Sequence, residues 1–159
     1  MKTSIMTTAL LMTISYCNLA TAHDQSGTLG TSKTYQVAQD TYEVSCGPGS
    51  TKLFAQVIDL KPVLAPTVSI QLQKTLNSLT EQTKVNTDAA DGNKVYSTGI
   101  TLKPTASVGG GSTGGFKMIV TKSQTAAKTK GAEVYNIKFH CQDASNGHTD
   151  TDWEPLTNG

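Results

Sequence analysis

Three histidines, His23, His140 and His148, are all the imidazoles in the sequence. One of them sits where processing would change its chemistry. His23 follows Ala20-Thr21-Ala22, an A-x-A cleavage signal. Cleavage after Ala22 makes His23 the first residue of the mature chain, with an α-amine and an imidazole nitrogen on one unit. Those two nitrogens chelate Cu(II), and an imidazole from elsewhere completes a three-nitrogen plane, an arrangement favoured by copper's affinity for nitrogen donors. His140 and His148 are the candidates for that further ligand. The alternation of Tyr135 to Cys141 puts His140 on a solvated face, and His148 falls in a surface turn, ASNGHTDTD. The plainer alternative is a histidine exposed at the cleavage point that binds nothing.

An N-terminal histidine of this kind resembles the histidine brace of lytic polysaccharide monooxygenases and of related copper-binding β-sandwich proteins of the periplasm. The resemblance implies a Cu(II) site at His23, with His140 or His148 as partner. Its enzymatic version implies reductant-dependent attack on polysaccharide.

Other candidate groups are fewer. Asp88, Asp91 and Asn93 share one turn, and Asp143, Asp150, Asp152 and Glu154 gather near the C-terminus. Oxygen ligands in turns suit calcium, although neither set has EF-hand spacing and an acidic solvated loop explains both. No G-x-S-x-G, no H-E-x-x-H and no GK[ST] ending to the glycine-rich stretch Ser107–Gly115 occurs, so no catalytic motif supports an enzyme.

Cys46 and Cys141 are the two cysteines of the mature part. Each ends a strand pattern, Y-x-V-x-C and F-x-C, on the inward side of the alternation. In an exported chain without CxxC they are expected to form a disulfide rather than a reactive or metal-binding pair.

The elements that must position these groups begin after residue 22. Residues 1–22 read as a signal peptide: Lys2, then a short apolar core rich in threonine, too short to span a bilayer as a helix. The alternative reading is lipid anchoring through Cys17. Residues 23–32, HDQSGTLGTS, carry no apolar pattern and read as a flexible leader. The leader also offers itself as a strand for a neighbour's sheet in an extracellular assembly.

From residue 33 the period is two. TYQVA and TYEVSC, KLFAQVIDL, Val68 to Gln73, Val95 to Leu102, Phe116 to Thr121 and Tyr135 to Cys141 read as strands. Leu72 to Leu79 also fits a short helix. Cys46-Gly47-Pro48-Gly49-Ser50, Asp88 to Asn93 and Ser123 to Gly131 read as turns. The expected fold is all-β: a small antiparallel β-sandwich of about six to eight strands over residues 33–141, with one disulfide. Residues 142–159 are expected as an acidic, turn-rich tail anchored by Trp153.

Composition narrows the partners. Arginine is absent, and without Lys2 twelve lysines face twelve acidic residues. With no guanidinium fork and no net field, neither nucleic acid nor nucleotide is an expected partner. Val95 to Leu102, Gly115 to Val120 and Ala132 to Phe139 resemble the closing strands of bacterial prepeptidase C-terminal domains, in which G-x-[YF]-x-[VI]-x-V precedes Y-x-[LI]-x-[FV]. That resemblance implies a binding or accessory role. The reading as a whole is an exported, noncatalytic sandwich in the periplasm or at the cell surface. Its role would be binding, adhesive or structural, with protein or glycan partners, and no transmembrane segment is expected in the mature chain.

Overall fold

Alternation along each strand decides the architecture, because a period of two puts one set of side chains on a core face and the next on the opposite face. The computed structural model describes residues 22–30, 38–60, 67–76, 79–90, 92–103, 113–122 and 132–158. Ten strands are present among them: β1 (His23–Leu29), β2 (Gln39–Cys46), β3 (Lys52–Asp59), β4 (Val68–Leu76), β5 (Leu79–Thr87), β6 (Ile100–Leu102), β7 (Thr113–Lys122), β8 (Glu133–Gln142), β9 (His148–Thr149) and β10 (Thr151–Thr157). All pairings are antiparallel. One sheet runs β1-β8-β3-β6, with β9 also on β8, and the other runs β10-β2-β7-β4-β5. The protein is therefore an all-β sandwich of two five-stranded antiparallel sheets.

The core is the set of inward positions of both sheets. Val44, Ile70, Leu72, Phe116, Met118 and Val120 from one sheet meet Leu29, Leu53, Val57, Ile137 and Phe139 from the other. Burying such side chains stabilises by about 1.5–3 kcal/mol each. Cys46 of β2 and Cys141 of β8 are joined by a disulfide with a Cα–Cα distance of 5.6 Å. The covalent link therefore runs between the two sheets, as the inward register of both cysteines requires.

Three expectations are corrected. His23–Leu29, expected as a flexible leader, is edge strand β1, paired over its full length with β8 from His23↔Phe139 to Leu29↔Glu133. Its inward residues are His23, Gln25, Gly27 and Leu29, so a mostly polar core face hid the strand from any search for apolar alternation. Gly27 is the fitted piece: a Cβ there would lie 2.3 Å from the Tyr135 hydroxyl oxygen, so the tyrosine can lie across β1 only over glycine. On the outer face Asn136 donates to Ser26 Oγ at 2.9 Å, and the Tyr96 hydroxyl donates to Asn136 at 2.6 Å and to Asp24 at 3.4 Å.

The tail from residue 142 is not merely turns, since it supplies β9 and β10. Val95 to Leu102 forms a strand only at Ile100–Leu102. The helical alternative at Leu72 to Leu79 is resolved in favour of strands β4 and β5. TYQVA, apart from Ala38, and the turn at residues 123–131 lie outside the described residues, as do residues 1–21 with Cys17. No helix among the described residues is long and apolar enough to cross a membrane.

Candidate functional site

All three histidines come together at one end of β8. The reason is register. On one edge of β8 the neighbour is β1 up to the pair His23↔Phe139, and from Cys141↔Thr149 and Gln142↔His148 onward it is β9. His140 is the rung between them. The backbone nitrogen of His23 precedes its Cα toward that rung, so it lies on the β8 edge between the Phe139 and His140 positions.

His148 is returned to this place by the turn Asp143–Gly147. The Asp143 carboxylate accepts the backbone N–H groups of Ser145 at 2.8 Å and Gly147 at 2.7 Å. Asn146 takes the left-handed conformation, φ 67°, that asparagine tolerates better than most residues. Gly147 admits no Cβ, which would lie 2.8 Å from the Asp143 carboxylate. The chain thus reverses within five residues, and the His148 ring settles on His140 with centroids 3.9 Å apart.

His140 points to the outer face, as expected, but it is not solvated: its exposure is 7%. The cover comes from residues distant in sequence. Phe54, directly opposite on β3, packs with its ring centroid 5.0 Å away, and His148 lies on the other side. Phe54 is in turn held down over Gly99, where a Cβ would come within 2.1 Å of the phenyl ring. Burial, reinforced by like-charge repulsion from His148 and His23, pushes the His140 imidazole down to about 4. It is therefore neutral at pH 7, the form that ligates metals. Gln142 Nε2 lies 2.7 Å from His140 Nε2, and the buried Nδ1 has no hydrogen-bond partner among the described residues.

The His23 side chain takes the other face. Its ring stacks on Phe139 at 5.5 Å with an interplanar angle of 24°. Trp153 packs edge-on against the same Phe139 at 5.8 Å and against Tyr42 at 5.8 Å. So β8 carries two imidazoles at its outer surface and one ring beneath, with the His23 nitrogen at the boundary. Among the described residues no three His, Cys, Asp or Glu side chains are gathered as a metal cage. What converges is two imidazoles and a backbone nitrogen that becomes an amine only on cleavage.

The acidic turn candidate has a structural explanation. Asp88 is buried, and its two carboxylate oxygens accept the N–H of Asp59 at 2.8 Å and of Ala90 at 3.1 Å, while Asn93 Oδ1 accepts from Val95 N. Asp91 lies outside the described residues. Of the tail acids, Asp143 serves its own turn, and Asp152 and Glu154 stand on β10 opposite Ser45 and Glu43.

Sequence reasoning missed a buried polar chain at the opposite end of the β1 edge. Tyr42 and Tyr135 hydroxyls lie 2.5 Å apart, and Tyr135 donates to the Asp40 carboxylate, all three residues being almost fully buried. Both phenol groups are pushed up by burial. The available signal was the fixed inward parity of Asp40, Tyr42 and Tyr135, which puts polar atoms on a face otherwise apolar. Comparison with protein-family models, curated proteins and solved structures found no match.

Proposed function

We propose that the chain is an exported, noncatalytic binding protein of the periplasm or cell surface, and that its ligand at the β8 end is Cu(II). The observation that carries this reading is the contact of the His140 and His148 rings at the end of β8 where β1 begins at His23. Burial disfavours protonation of His140, and its buried Nδ1 has no hydrogen-bond partner among the described residues, so a cation there would meet a neutral ring.

The donor set expected is the α-amine of processed His23, the His140 imidazole and the His148 imidazole, with the His23 ring joining if it turns away from Phe139. Nitrogen donors of this number suit copper over calcium or magnesium. Copper bound there would supply a Lewis-acidic, redox-active centre, with His140, His148 and the His23 nitrogen holding it. His140 is presented neutral, Phe54 keeps water from its flank, and the Asp143 turn fixes His148 beside it.

Protein with an authentic His23 N-terminus should bind one equivalent of Cu(II), with nitrogen coupling in the electron paramagnetic resonance spectrum. Each of three changes should lower affinity by at least about tenfold: His140→Ala, His148→Ala, or one extra residue before His23. Weak binding indifferent to all three would overturn the proposal. The assembly alternative loses its donor in this fold, because β1 already completes its own chain's sheet.

A further inference from the structure

Where the two sheets splay apart, between edge strand β1 of one and edge strand β10 of the other, they leave a cleft of about 420 Å³. Its walls include Gln25 and Gly27 from β1, Asp40 and Tyr42 from β2, and Trp153 and Asn158 from the C-terminal strand and its end. We infer that this cleft binds a neutral sugar unit of a glycan, stacked on Trp153. The inference is independent of copper at the histidine corner.

Four observations carry it. The first is the platform. Trp153 is the only tryptophan in the chain, and it is held edge-on by both Tyr42 and Phe139, so its ring plane is set before any ligand arrives. An indole fixed in this way offers an apolar face for sugar C–H groups at little conformational cost.

The second is the polar complement. An amide from Gln25, an amide from Asn158, the Tyr42 hydroxyl and the Asp40 carboxylate border one volume. The two amides alone supply both donors and acceptors, which alternating hydroxyls require, while Tyr42 and Asp40 are bonded to Tyr135 behind them. The Asp40–Tyr135–Tyr42 chain anchors the deep wall, and the side chains stand on strands, where positions are better fixed than on loops.

The third is charge. Among the described residues the lining contains no lysine or histidine, and the chain contains no arginine, so no described group there favours phosphate or sulfate. A single carboxylate among neutral groups suits an uncharged polyol. The volume lies within the roughly 300–1,000 Å³ typical of small-molecule sites.

The fourth concerns the competing occupant, an extended peptide added to the edge of β10. Pro155 removes one N–H from that strand, and its pairing with β2 shifts register between Pro155 and Thr157. A broken, proline-bearing edge is a poor template for strand addition. Glycine at position 27 also keeps the β1 wall low.

The single tryptophan lines this cleft, so its fluorescence follows occupancy, and Gln25→Ala and Asn158→Ala assign the response to this cleft. Full mature protein is titrated with cellotetraose, chitotetraose, maltotetraose and mannotetraose up to about 10 mM, the upper end of weak recognition, with saturation-transfer nuclear magnetic resonance in parallel. At least one sugar should give a saturable change and transfer of signal to its ring protons. Trp153→Ala should weaken binding at least about tenfold; Gln25→Ala and Asn158→Ala, which leave the aromatic packing intact, should each weaken it several-fold. No saturable response to any of the four sugars overturns the inference. So does binding that survives both Gln25→Ala and Asn158→Ala unchanged, or displacement of the sugar by a peptide that pairs with β10. Binding should persist in apo protein carrying His148→Ala, which separates this site from the copper reading.

Discussion

His140 and His148 lie ring to ring, 3.9 Å between centroids, although one belongs to a long central strand and the other to a two-residue strand beyond a turn. The pair exists because Asp143 closes that turn with two backbone hydrogen bonds. Position and protonation are thereby coupled: the ring that covers His140 also raises the cost of charging it.

That coupling has a pH signature. In the unfolded chain this imidazole takes up a proton near its ordinary 6.5, whereas in the folded protein it waits until about 4. Between those values the unfolded state binds more protons, so stability present above pH 6.5 is lost as pH falls toward 4. The contribution is on the order of 1–2 kcal/mol after allowance for partial solvent access. Melting temperature against pH, compared for wild type and His140→Gln, should show the steeper acid loss in wild type; parallel curves would refute the assignment.

Removing the covalent link between the sheets tests the core from another side. Cys46→Ser with Cys141→Ser releases a loop of sequence separation 95, worth about 4–5 kcal/mol in the chain-entropy account. Calorimetry should record a fall in Tm of roughly 15 °C or more. A fall of only a few degrees would mean that the denatured chain is already restrained.

Gly27→Ala should free β1. The added methyl meets the Tyr135 ring and hydroxyl, which are buried and cannot swing clear. An overpacking cost of about 1–3 kcal/mol is expected. Hydrogen exchange should rise in His23–Leu29 while β7 and β4 stay protected. Uniform loss of protection would show that β1 is not a separable unit.

Tyr135→Phe removes the donor to the Asp40 carboxylate and the partner of the Tyr42 hydroxyl. A buried charge-assisted bond is worth about 1.5–3 kcal/mol, so denaturant midpoints should fall accordingly with little change in m-value. Tyr42→Phe, which leaves the Asp40 bond in place, should cost less.

The strands legible in the sequence were those with apolar residues on every inward position: β8 from Tyr135 to Cys141, β7 from Phe116, and β4 from Val68. The cysteine pairing was legible for the same reason, since parity alone put both sulfurs inside. What escaped was decided by neighbours. His23, Gln25 and Gly27 face inward, yet no periodicity of apolar residues marks them; their strand exists because Tyr135 and Phe139 cover it. His140 has the parity of a wet residue and is dry because Phe54 and His148 close over it. The approach of His148 left one readable trace, the segment Asp143-Ala144-Ser145-Asn146-Gly147, whose residue types favour a tight reversal directly after a strand.

The pairing of β1 with β8 also fixes an order of events. Strand β1 finds its partner only when β8 has followed it, and contacts so far apart along a polypeptide form slowly. The sandwich can therefore close only after β8 has been made, and the β1 segment stays unpaired until then. The histidine corner, which joins residue 23 to residues 140 and 148, is then among the last places to assemble.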